Sequence, residues 1–174
     1  MIHTLTLQLA DADRNVYQSL PLRVARHPSE SAPFLLARVL AYCLEYGEGI
    51  ELTAGIAAVD EPAVLVRDLT GRITAWIEVG APSAERLHRG SKLAGRCAVY
   101  THRDAEPLVR ELAGQRIHRA ADIPVYAFER DFMETASAAL PRRADLSLSV
   151  TGRHLYLDME GRTFSSAVLE HRLG

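Results

Sequence analysis

Residues 60–96, DEPAVLVRDLTGRITAWIEVGAPSAERLHRGSKLAGR, place two strand patterns, a tight turn and a basic helix pattern one after another with almost no linker. Asp68 suits the first position of a type I turn and Gly71 supplies the residue that returns the chain, so the segments on either side pair as a hairpin. The second strand sets Thr74, Trp76 and Glu78 on one face and Ile73, Ala75, Ile77 and Val79 on the other. Glu78 is the single acid in this most apolar strand. A carboxylate in such a setting loses hydration on folding, so it needs a metal, a cation or hydrogen bonds to stay ionised. Residue numbers across the hairpin are expected to sum to roughly 139 or 140, which would put Ala63 near Trp76 and Glu61 near Glu78.

Around this stretch the pattern alternates. Residues 2–9 carry Leu5, Leu7 and Leu9 on one face, and residues 16–26 resume the alternation after a turn-rich DADRN, which predicts an N-terminal hairpin with Pro21 on an edge or at a bulge. Ser29 or Ser31 caps a helix running to about Tyr46, apolar nearly all round but carrying Arg38 and Glu45 on one stripe. Residues 50–58 read as a short strand. After Pro82 and Ser83 a helix over residues 84–95 turns Arg86, Arg89, Lys92 and Arg96 to one side. Strand CAVYT, a helix from Asp104, strand IPVYAF and a helix from Arg130 continue the alternation, and the tail reads as antiparallel strands. The expected fold class is α/β (α+β): a mixed sheet with flanking helices.

With 174 residues the chain suits one domain, 1–174, and its 48% hydrophobic and 24% charged content is that of a globular protein without an apolar run long enough for a membrane helix. The N-terminus lacks a basic region followed by an apolar core, and the expected location is the cytoplasm. Cys43 and Cys97 have apolar neighbours and read as buried free thiols, and no two of the seven histidines have zinc-site spacing. Formal net charge is −2, so affinity for nucleic acid would need a local basic patch. There is no G-x-S-x-G elbow, no P-loop and no Gly-rich dinucleotide turn. A serine hydrolase, a nucleotide triphosphatase and a dehydrogenase are excluded on these grounds. The surviving chemistry is a carboxylate group, Asp60, Glu61, Asp68 and Glu78, followed by a basic helix face.

ARHPSE at 25–30, DEP at 60–62, RDLTG at 67–71 and WIEVG at 76–80, with Pro82 and Arg86 beyond, resemble the YaeQ family of bacterial proteins over most of the chain. That resemblance implies a fold like the PD-(D/E)XK nucleases, with the nuclease-like core over about residues 31–101 and the N-terminal hairpin and C-terminal strands added to it. It also implies magnesium at Glu78, and a hydrolase reading of the same stretch adds Glu61 or Asp60 as the second metal ligand and Arg86, Arg89 or Lys92 to orient phosphate. Two nuclease positions depart from the pattern. Ala63 stands where the first acid would be and Gly80 where the lysine would be, so Arg86 or Lys92 would have to substitute in space. The chain therefore supports two readings. One is a non-catalytic protein of this family, binding nucleic acid or a protein partner, with Glu78 paired to Arg38 or to a basic residue of the next helix. The other is a magnesium-dependent phosphodiesterase. The oligomeric state is not specified by the sequence.

Overall fold

The computed structural model describes residues 1–54 and 60–174. Strands β1 (Ile2–Asp11) and β2 (Val16–Ala25) pair antiparallel along their full length, Ile2 opposite Ala25 and Asp11 opposite Val16. Leu5, Leu7 and Leu9 are buried on one face, as the period of two requires. Pro21 lies opposite Thr6 on β2, and β2 is one end of the strand order, where a residue without an N–H is tolerated.

Helix α1 (Ala32–Leu44) starts where the Ser31 hydroxyl accepts the Phe34 N–H, with Pro33 in its first turn. The strand expected over residues 50–58 is β3 (Ile50–Leu52) in its first three residues; residues 55–58 of that expectation lie outside the described ones. The hairpin follows as β4 (Val64–Arg67) and β5 (Ile73–Val79), and Asp68 Oδ1 accepts from Thr70 and from the Arg72 N–H to close its turn. Next come α2 (Ala84–Leu93), β6 (Arg96–Tyr100), α3 (Ala105–Leu112), β7 (Pro124–Phe128) and α4 (Arg130–Ala139). Strands β8 (Arg143–Thr151), β9 (His154–Met159) and β10 (Arg162–Arg172) complete the chain.

The ten strands of the described residues join one sheet in the order β2-β1-β8-β9-β10-β7-β6-β5-β4-β3. Three neighbouring pairs are parallel, β1 with β8, β5 with β6 and β6 with β7, and the rest are antiparallel. The sheet curls like an almost closed barrel, because Leu5 and Leu7 near one end share a core cluster with Val64 and Ile77 near the other. Helices α1 and α4 fill the inside of the curl through Leu36, Leu40, Phe132 and Met133. On the outside, α2 and α3 cover β5, β6 and β7 through Leu87, Leu108 and Leu112, packed on Trp76, Val99 and Val125.

This architecture corrects the expected α/β fold with a nuclease-like core over residues 31–101. The described residues are mostly sheet and do not show a PD-(D/E)XK core. Residues from that stretch share their core with β1, β2 and β8 to β10 instead of enclosing one of their own. The cause is long-range pairing. The strand and helix alternation from β5 to α4 does yield neighbouring parallel strands, but β8 inserts beside β1 and β10 bridges to β7. Such contacts between distant segments leave no trace in local periodicity.

Cys43 and Cys97 are free and buried, and burial pushes each thiol up to about 12. Among the described residues no helix is long and apolar enough to cross a membrane.

Candidate functional site

Trp76 and Glu78 are two residues apart on β5 and so share its outer face, beneath α2. Helix α2 can approach because residue 90 is glycine: a Cβ there would lie 2.4 Å from Trp76 Cδ1 and 2.6 Å from its Nε1. With the indole held under the helix, its Nε1–H donates to Glu78 Oε2 at 2.8 Å. Ser83 caps α2 by accepting the Arg86 N–H, which brings Arg86 round in the first turn over the strand. Arg86 Nε donates to the same Glu78 oxygen at 2.9 Å, Nη2 approaches Oε1 at 3.4 Å, and Nη2 also donates to the Glu61 carbonyl at 2.8 Å. Glu78 is 5% exposed. A carboxylate buried to that degree needs an adjacent cation and hydrogen-bond donors to offset its lost hydration, and both are present.

Of the other expected site residues, Glu61 reaches Arg86 through its backbone carbonyl. Asp60 and Glu61 are exposed. The hairpin register runs Val64 to Ile77 and Leu65 to Trp76, a sum of 141, because a bulge between Val66 and Arg67 shifts the pairing by one. Continued by one residue, this register sets Ala63 across from Glu78 and carries Glu61 past it, which corrects the expected pairing. Gly80 has φ +97, and a Cβ there would meet the Phe34 ring at 2.8 Å, so a lysine at this position would be strained. Among the described residues no group of three His, Cys, Asp or Glu stands close enough to share a metal ion. One carboxylate, already accepting from a guanidinium and an indole, does not suit a hard divalent cation that asks for several oxygens.

Arg38 takes another partner. Its Nη1 donates to both oxygens of Glu30, at 3.0 and 2.9 Å, and to the Ala25 carbonyl, while Nη2 donates to the Thr53 carbonyl. Glu45, on the same stripe, accepts from Arg96 at 2.7 and 2.8 Å and from the Tyr100 hydroxyl. The polar stripe of α1 therefore turns inward and is neutralised from the rim, leaving neither residue at Glu78.

On the outer side of α2, Arg89 stacks its guanidinium 5.6 Å from the Trp76 ring centre, and Lys92 is exposed. The connection between α3 and β7 adds basic groups. The Ser91 hydroxyl donates to the His118 carbonyl at 2.6 Å, and Arg119 Nη2 donates to the Ser91 and Ala94 carbonyls at the end of α2. So docked, the His118 N–H donates to His88 Nδ1 at 3.0 Å, and the two rings meet edge to face at 6.4 Å. Loss of hydration, and then the charges of Arg116, Lys92 and His118, hold His88 below the ordinary histidine range. Arg116 and His118 were missed by sequence reasoning. The basic run QRIHR at 115–119 is visible there, but its docking on α2 depends on a carbonyl and a helix terminus that no side-chain pattern reveals.

A family model described as YaeQ protein matches residues 1–168. The chain belongs to the YaeQ family. The YaeQ protein of Escherichia coli K12 is 27% identical over 157 residues, spanning 90% of this chain and 87% of that one. The Salmonella typhi YaeQ protein is 33% identical over 101 residues, 58% of this chain and 56% of its own. The crystal structure of a YaeQ protein from Pseudomonas syringae superposes with a TM-score of 0.86 at 25% identity, covering 98% of this chain and 94% of that chain. A YaeQ structure from Xanthomonas axonopodis pv. citri has the same fold, with a TM-score of 0.88 at 22% identity over 99% and 98% of the two chains. The curled sheet is thus a fold seen in solved YaeQ proteins.

Proposed function

We propose that this YaeQ protein is a non-catalytic binding protein that holds nucleic acid on the outer side of α2. The observation that carries this reading is the convergence of Lys92 of α2 with Arg116 and His118 of the following connection, all exposed, around His88. In a chain of net charge −2 such a concentration is a local feature, and phosphate oxygens are the chemistry that would neutralise it. Glu78 supports the same reading from below: its carboxylate is engaged by Arg86 and Trp76 and props the helix that presents the basic groups. Magnesium at this carboxylate would compete with the Arg86 guanidinium that already lies against both of its oxygens.

The test is fluorescence anisotropy with labelled single- and double-stranded oligonucleotides at several salt concentrations. Affinity is expected to fall steeply with salt, with a log–log slope of about −0.7 to −0.9 per phosphate contacted. Replacing Lys92 and Arg116 together by Glu should weaken binding by at least about tenfold, since it removes two contacts and adds two repulsions. Loss of hydration, the larger cause that holds His88 low, persists under a bound phosphate, but phosphate would offset the repulsion from Arg116, Lys92 and His118, so binding should tighten modestly as pH falls below the ordinary histidine value. Binding that is insensitive to salt, or unchanged in the double variant, would overturn the proposal.

A further inference from the structure

Helices α3 and α4 leave consecutive parallel strands toward opposite faces of the sheet. After β6, α3 packs on the outer cluster through Ala105, Leu108 and Leu112. After β7, α4 packs on the inner cluster through Phe132, Met133 and Ala136. Where neighbouring parallel strands send their connections to opposite sides, a crevice opens outside their carboxyl ends, and sheets of this kind bind ligands there. The crevice is present as a cleft of about 690 Å³, lined by residues directly following β5, β6 and β7.

Its chemistry is mixed in a particular way. Phe128, Met133, Leu108 and Pro33 supply apolar surface. Asp104 and Arg130 neutralise each other at 2.6 Å. Three further charges line the cleft, all exposed and without an ion-pair partner among the described residues: Arg103 from the loop after β6, Glu111 of α3 and Glu134 of α4. His102, also in the lining, has a buried Nδ1 with no hydrogen-bond partner and packs its ring edge-on to Phe34 at 5.5 Å. Burial and then the charge of Arg103 hold His102 below its ordinary range, which favours the uncharged imidazole. Among the described residues the cleft thus offers one cation and two carboxylates without ion-pair partners, an unpaired ring nitrogen and apolar walls.

We infer that this crevice binds a small zwitterion carrying an apolar side chain, of the kind presented by a free amino acid or a short peptide. The ligand carboxylate goes to Arg103, its ammonium to Glu111 and Glu134, and its side chain to Phe128 and Met133. A simple anion would meet the two carboxylates and a simple cation would meet Arg103, so each half of the ligand's charge is selected by a different element. The site shares no residue with the basic side of α2, so loss of nucleic-acid binding in the Lys92 and Arg116 variant leaves this inference standing, and the reverse holds as well.

The experiment is isothermal titration of the full chain with L-phenylalanine, L-leucine and the dipeptide Leu-Phe at millimolar concentration, beside phenethylamine and 3-phenylpropionate, which each keep one charge. At least one zwitterion should bind about tenfold more tightly than either single-charge control. Arg103→Ala and Glu134→Gln, both at exposed positions, should each reduce that preference, the first by weakening carboxylate recognition and the second by weakening ammonium recognition. Binding of the dipeptide alone would identify a peptide end as the ligand, and binding of the free amino acids would identify those. If no zwitterion binds, or if the controls bind equally well, or if the variants leave the preference unchanged, the inference fails.

Discussion

Glu30→Ala is expected to destabilise the protein by about 3–5 kcal/mol, the cost of leaving a buried charge without its partner. The side chains of Arg38 and Glu30 are 1% and 0% exposed, and the guanidinium is fixed further by the Ala25 and Thr53 carbonyls. Glu30 in turn accepts the His27 N–H, so removing it frees the turn that leads from β2 into α1. The Arg38 Nε already lacks a hydrogen-bond partner, which leaves the guanidinium little capacity to rearrange. Urea denaturation of the single variant and of a Glu30→Leu, Arg38→Met double variant checks this. The double variant should be much closer to the parent, because replacing both ions with apolar groups of similar volume removes the uncompensated charge. A single variant as stable as the parent would show that the pair is not buried in solution.

The second large effect is expected at Gly90. A methyl group at 2.4 to 2.6 Å from three indole atoms cannot be accommodated by a rigid ring, so Gly90→Ala must push α2 off β5 or swing Trp76 aside. The expected loss is about 1–3 kcal/mol, the range for overpacking a filled core. Either movement lengthens the 2.8 Å bond from the indole to Glu78. Trp76 is the only tryptophan in the chain, so its emission reports this site alone and should shift in Gly90→Ala before unfolding begins. An unshifted spectrum with unchanged stability would mean that the helix does not lie as close to the strand as described.

Both cases separate what local pattern conveys from what it does not. The N-terminal hairpin, the Ser31 and Ser83 caps, the Asp68 turn and the placement of Glu78 beside Trp76 on one strand face follow from periodicities of two and 3.6 and from capping chemistry, and they are seen as expected. A need for counterions was legible too, since a helix that is apolar all round cannot bury Arg38 unpaired. Which counterion was not. Glu30 lies in a turn that reads as exposed, and its inward orientation comes from the His27 N–H it accepts. The bulge at Val66 and Arg67 was also invisible, and the register beyond it, with a sum of 141 in place of the expected 139 or 140, sets Ala63 instead of Glu61 across from Glu78. The order of the ten described strands depends on pairings between the two ends of the chain, which is why local alternation pointed to an α/β fold where the described residues form mostly one mixed sheet.

Holding Glu78 as the prop of α2 rather than as a metal ligand is the central point, and calorimetric titration with magnesium and manganese addresses it most directly. The parent protein and Glu78→Gln should give the same trace, with no site that depends on the carboxylate, while the variant loses stability because Arg86 loses its counterion. A binding isotherm present in the parent and absent in Glu78→Gln would contradict the account and return the acid to metal chemistry.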